Sequence, residues 1–166
     1  ALRQFKSATN EMTAQRVMKM SLLLPTPEIP LANLEPFTRV LKRAVATAEP
    51  LKEGTYSPAS WDLTLLGLLD YRCGSCSGAL NLVWRGLVTC TYTSMPTAQD
   101  RAILAMCRYK LGEKAAARID LEIATNFVQR GMDAGVDSWN WPDWVFARLL
   151  LQEAGSLVPQ SPLPPK

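Results

Sequence analysis

Two stretches of this chain lie over one another at a spacing of 38 residues, and that repetition constrains the fold more than any other feature. "LLGLLDYRCGSCSGALNLVWRGL" aligns with "ILAMCRYKLGEKAAARIDLEIA", so that Tyr71-Arg72-Cys73-Gly74 falls on Tyr109-Lys110-Leu111-Gly112. Ala79 then falls on Ala117, Leu82 on Asp120, Val83 on Leu121 and Gly86 on Ala124. A repeat of this length marks a supersecondary unit that buries its apolar face only against its neighbours. Helix formers with 3.6-residue periodicity fill both halves of each unit, and a glycine stops the first half. Each unit therefore reads as two antiparallel helices joined by a glycine-ended turn.

The remaining segments carry the same punctuation. Alternating β-branched runs are nearly absent, so the fold class is all-α. A first helix is expected from about Asn10 to Leu24, with Met12, Val17, Met18 and Leu22 on its apolar face. A second runs from about Asn33 to Ala48, with Phe37, Val40, Leu41 and Val45 on one side. Ala59–Cys73 pairs with Ser77–Thr89, and Gln99–Leu111 pairs with Lys114–Arg130. Asp143–Leu157 makes a last, capping helix after the loop "GMDAGVDSWN". The hairpins thus span about 10–48, 59–90 and 97–131 within one domain of residues 1–158. "PQSPLPPK" (159–166) reads as a proline-rich disordered tail.

Composition removes several classes of chemistry. The chain has no histidine, which excludes Ser-His and Cys-His nucleophile pairs and takes away the usual base near neutral pH. Asp120 and Glu122 lie two positions apart and leave a helix on different faces. No phosphate-cradling glycine loop or kinase signature is present, so the chain reads as non-enzymatic, with no cofactor and no metal. A net charge of +3 is too small to imply a nucleic-acid surface. Arg39, Lys42 and Arg43 are read as a solvated helix face, with weak nucleic-acid binding as the alternative. No apolar run approaches the roughly 18 residues a membrane span needs. The four cysteines do not suggest a disulfide scaffold, so free thiols in a cytoplasmic protein are expected. The chain opens at Ala1, as a piece of a longer protein would.

"CGSC" at 73–76 admits a structural and a chemical reading. Gly74 supplies the left-handed conformation that ends a helix, and Cys76 then packs inward as a small hydrophobe. A redox pair would need its first thiol at a helix N-terminus, whereas Cys73 closes a helix. Zinc would need Cys90 and Cys107 to converge on the pair.

The period and the pattern resemble the tetratricopeptide repeat, a helix-turn-helix unit of about 34 residues. The Leu-Gly pair of that family falls on Leu66-Gly67 and Leu104-Ala105. Its small residues fall on Ala79 and Ala117, its bulky position on Val83 and Leu121, and its next small position on Gly86 and Ala124. The family's tryptophan position holds Leu63 and Arg101 instead, and its tyrosine position holds Asp70 and Arg108. The order of "RVMKMSLLLP", "RAVATA", "GLLDYRCGSCSGAL", "AILAMCRYKLGEKAAAR" and "DWVFARLLLQEAGSL" is similar to the C-terminal tetratricopeptide region of large bacterial proteins of planctomycete type, often behind a serine/threonine kinase domain. The resemblance implies hairpins stacked as a short right-handed superhelix, with first helices lining a concave groove.

In that groove the resemblance places Trp61, Thr64, Leu68, Tyr71 and Arg72 from one unit. From the next it places Gln99, Ala102, Met106, Tyr109 and Lys110. Aromatic and cationic side chains of this kind suit an acidic or aromatic protein or peptide partner. The alternative is that Leu68 and Met106 belong to the core and the tyrosines pack between units. Trp139, Trp141 and Trp144 either close the end of the core or form a docking patch for a partner or a second copy of the chain.

Overall fold

The computed structural model describes residues 10–23, 30–48, 58–89, 94–135 and 141–159. These residues form α1 (Glu11–Leu23), a short 3-10 turn (Leu31–Leu34), α2 (Glu35–Thr47), α3 (Pro58–Arg72), α4 (Cys76–Thr89), α5 (Ser94–Lys110), α6 (Lys114–Asp133) and α7 (Trp141–Leu157). No strand occurs among them. Within the expected tail only residue 159 is described, and Cys90 and Trp139 also lie outside the described residues.

Helix starts differ most from expectation, and proline is the reason. The sequence places α5 at Gln99 and α7 at Asp143, after Pro96 and Pro142; in the structure both helices take the proline into their first turn. Pro36 and Pro58 sit likewise at the starts of α2 and α3. First-turn amides have no partner within the helix, so a missing N–H costs nothing there, and proline's fixed φ suits the position. α1 begins on a side-chain cap: Asn10 Oδ1 accepts the amides of Met12 at 2.9 Å and Thr13 at 3.4 Å.

The repeat is visible at the level of single hydrogen bonds. At the end of α3, Gly74 has φ +84°, its N–H reaches Tyr71 O (3.0 Å), and Ser75 N–H reaches Asp70 O (2.8 Å). At the end of α5, Gly112 has φ +87°, with the same bonds to Tyr109 O (3.1 Å) and from Glu113 to Arg108 O (2.9 Å). Both are Schellman turns, which satisfy the carbonyls a helix end leaves open and need a residue without Cβ at the left-handed position.

Between the two helices of the first unit the small positions do their expected work. A Cβ on Gly67 would overlap Val83 Cγ2, and one on Gly86 would press on Leu63 Cβ and Ser60 O at 3.3 Å each. Ala79 and Val83 are fully buried at this crossing, as are Ala117 and Ala124 in the second unit. α5 is the central element, packed against α3, α4, α6 and α7. α3 is buried on every side from Ala59 to Leu68, a pattern belonging to a helix surrounded by others.

Candidate functional site

The inner faces of α3 and α5, expected to be an open groove, are covered by the chain itself. α1 lies against α3, and α7 crosses α5 and reaches α1. Thr64, Leu68, Gln99, Ala102 and Met106 are therefore fully buried rather than exposed in a groove, and Trp61 and Tyr71 nearly so. Tyr109 is half-buried; Lys110 alone of the expected lining is exposed. Burial follows from composition: the inner face of α5 is apolar between Ala102 and Cys107, and the apolar sides of α1 and α7 have nowhere else to go.

The expected cationic and aromatic residues nonetheless come together, on a carboxylate. Glu153 of α7 sits in the fork of Arg72, with Nη1 donating to Oε1 and Nη2 to Oε2 at 2.6 Å. Arg72 Nε donates to Leu22 O at 3.1 Å, so this one guanidinium joins α3, α1 and α7. A planar fork holding both carboxylate oxygens is the strongest form of such a pair, and only 6% of the Arg72 side chain is exposed. Tyr71 OH lies 3.5 Å from Glu153 Oε1, and Lys110 Nζ stands 4.2 Å from the centre of the Tyr71 ring. Burial, and then the Glu153 charge, push the Tyr71 phenol well above its ordinary range.

A second latch holds the other end of α7. Lys19 Nζ donates to Asp143 Oδ1 at 2.5 Å while standing 4.2 Å over the Trp61 ring. Gln99 Nε2 donates to Asp143 O at 3.0 Å. Between the latches Phe146, Ala147 and Leu150 are buried, as is Ala154 just past Glu153. Trp144 is buried as well, its ring lying where a Cβ on Gly131 would stand. The expected tryptophan patch is accordingly divided: Trp144 closes the core, while Trp141 stays 55% exposed beside the exposed Val145.

Several residues that organise these contacts are invisible to motif reading. Asp62 and Asp100 occupy equivalent positions 38 residues apart. Each is buried and accepts from the first helix of the preceding hairpin: Asp62 Oδ1 from Gln15 of α1 (2.9 Å), Asp100 Oδ1 from Thr64 of α3 (2.7 Å). In both, Oδ2 has no hydrogen-bond partner among the described residues. Burial raises Asp62 to about 7 against the Gln15 hydrogen bond, and raises Asp100 to about 8 against its Thr64 bond and the Arg101 charge. Thr64 thus faces α5 rather than a groove. The recurrence of Asp at this spacing was available in the sequence, but an acid inside an apolar helix carries no motif.

A third buried acid, Asp120, is shared by two arginines. Arg101 Nη1 donates to Oδ1 at 2.6 Å and Arg108 Nη1 to Oδ2 at 2.5 Å. These arginines stand at the two positions where the second unit departs from the tetratricopeptide pattern, and Asp120 at the position of Leu82.

"CGSC" is a turn. Cys73 is exposed after α3, with burial and then Asp70 raising its thiol, and Cys76 opens α4 buried against Cys107. Burial, then the Cys76 neighbour, push Cys107 up to about 12. Cys73, Cys76 and Cys107 are free thiols. Among the described residues no three His, Cys, Asp or Glu side chains are grouped to hold a metal, and no helix is long and apolar enough to cross a membrane. Arg39 pairs with Glu35 one turn away at 3.2 Å, and Lys42 and Arg43 are exposed. No protein-family model, curated protein or solved structure matches the chain.

Proposed function

We propose that the chain is a non-catalytic protein-interaction module of tetratricopeptide-like plan, part of a larger protein, whose working surface is the inner face of α3 and α5. Its ligands are helices of acidic and aromatic character. One observation carries this reading: that face and α1 beside it hold a helix, α7, by a carboxylate near each end, Asp143 on Lys19 of α1 and Glu153 on Arg72 of α3, with large apolar side chains between. Recognition of an amphipathic helix by an apolar groove with charged ends is a recurrent mode of protein binding. Here Lys19, Arg72 and Lys110 supply the charge.

The test is a fluorescence-anisotropy titration of the full chain with two labelled synthetic amphipathic helices. They share an apolar face and differ only in carrying glutamate or lysine at the flanking positions. Saturable binding of the acidic helix, weakened by Lys110→Glu and absent for the basic one, supports the reading. Equal binding of both helices, or of neither, defeats it.

A further inference from the structure

We infer that α7 is an exchangeable, autoinhibitory occupant of the inner face, and that the partner displacing it is a helix from another protein repeating α7's arrangement of groups. The inference rests on the interaction reading above and adds to it the partner's register and the means of regulation.

The register follows from α7 itself. Asp143 and Glu153 are ten residues apart and meet cations carried by different helices, Lys19 on α1 and Arg72 on α3. Trp144, Phe146, Ala147 and Leu150 fill the interval, and Ala154 follows it. A competing helix therefore needs a carboxylate near each end at this spacing, an aromatic residue next to the first, and bulky apolar residues along the same face. Charge complementarity selects an acidic helix: with α7 displaced, the seat presents Lys19, Arg72, Lys110 and the amide of Gln99. Both latches also stand within reach of water. The side chains of Lys19 and Asp143 are 21% and 22% exposed, and that of Glu153 is 27% exposed. Weakening either latch lowers the cost of exchange, because a tethered occupant competes through its effective concentration as well as its contacts.

The probe is a labelled peptide of the α7 sequence, Trp141 to Leu157, titrated into the full chain and into Glu153→Gln and Arg72→Gln chains. Circular dichroism first establishes that all three are folded, with Asp143→Asn as the substitute should Glu153→Gln fail. We expect Glu153→Gln to bind the peptide about tenfold more tightly than the unaltered chain, since only its own occupant is weakened. Arg72→Gln, which takes the same contact from the peptide and from the chain's own α7, should bind about as the unaltered chain does, without the gain seen in Glu153→Gln. Equal affinity for the unaltered and Glu153→Gln chains would mean that the peptide binds without releasing α7 and would overturn autoinhibition; weakening of that binding by Lys110→Glu would then leave only the exposed Lys110 end of the face as a site for an acidic helix. No binding to any of the three would overturn both. Sedimentation of the Glu153→Gln chain alone completes the test: a monomer agrees with a foreign partner, whereas a dimer would make a second copy's α7 the occupant and overturn that assignment.

Discussion

The hairpins α3–α4 and α5–α6 share a turn, a crossing and a buried aspartate, yet they differ at one patch of their interiors. Leu63, Asp70 and Leu82 of the first unit correspond to Arg101, Arg108 and Asp120 of the second. What the units share fixes backbone geometry: the left-handed glycines 74 and 112, the small residues at the crossing, and the acids 62 and 100 that receive a bond from the first helix of the preceding hairpin. What differs is the chemistry that fills the same space. In the second unit a carboxylate with no exposure is bound by two guanidiniums whose side chains remain 22% and 23% exposed. Asp120 can thus stand in the place of Leu82 only together with its arginines, because alone it would be a buried, uncompensated charge.

Asp120→Leu should expose that dependence most sharply. It takes from Arg101 and Arg108 the anion they share, leaving Arg108 only Glu113 at 3.7 Å, and urea unfolding should show a loss of about 3 kcal/mol. Adding Arg101→Leu, which moves the unit toward the first unit's pattern, should recover most of it. A double variant no better than the single would mean that the two units fill their interiors differently after all.

The equivalent acids give the next effect, on pH. Both have folded pKa values raised above the unfolded value of 3.8, to about 7 for Asp62 and about 8 for Asp100. Between these limits the folded chain holds protons that the unfolded chain has released, so stability falls as pH rises from about 4 and levels off above about 8. We expect a fall of about 2 kcal/mol between pH 5 and 8, limited by local opening that wets either carboxylate before the whole chain unfolds. Asp62→Asn and Asp100→Asn should each flatten the profile, measured by urea titrations across that range. A profile unchanged by either substitution would show that the acids ionise without consequence.

The crossing position supplies a smaller contrast. Gly67→Ala drives a methyl into Val83 and should cost about 2 kcal/mol, with relief when Val83→Ala is added. Its counterpart Ala105→Gly removes a helix-favouring residue and should cost about 1 kcal/mol with no such partner. Denaturation midpoints of the three single variants and the double test this. Smallest of all, Trp141→Ser on the exposed face of α7 should move stability by no more than about 0.5 kcal/mol.

The repeat made much of the fold legible. Gly74 and Gly112, Ala79 and Ala117, and Val83 and Leu121 all mark local or near-local geometry, which a sequence states directly. Helix starts at Pro96 and Pro142 were misread because proline stops a helix in its interior yet suits its first turn. The site was legible in its chemistry and not in its accessibility. Arg72 and Tyr71 do meet a carboxylate, with Lys110 over the Tyr71 ring, but that carboxylate belongs to α7, more than eighty residues along the chain from Arg72. No local pattern in "ARLLLQEAGSL" says that Glu153 folds back so far. Asp120 was visible opposite Leu82, and two arginines in aromatic positions were its companions. Reading the three together required knowing that they meet.

Hydrogen exchange by mass spectrometry on the full chain, resolved over α5 and α7 and compared with Glu153→Gln, tests the account at its centre. If α7 is a seated and exchangeable helix, its amides open at lower free energy than those of α5, and Glu153→Gln lowers the protection of α7 while leaving α5 as it was. Equal protection of the two helices in both chains would contradict it, making α7 an integral wall of the core and closing the inner face to any partner.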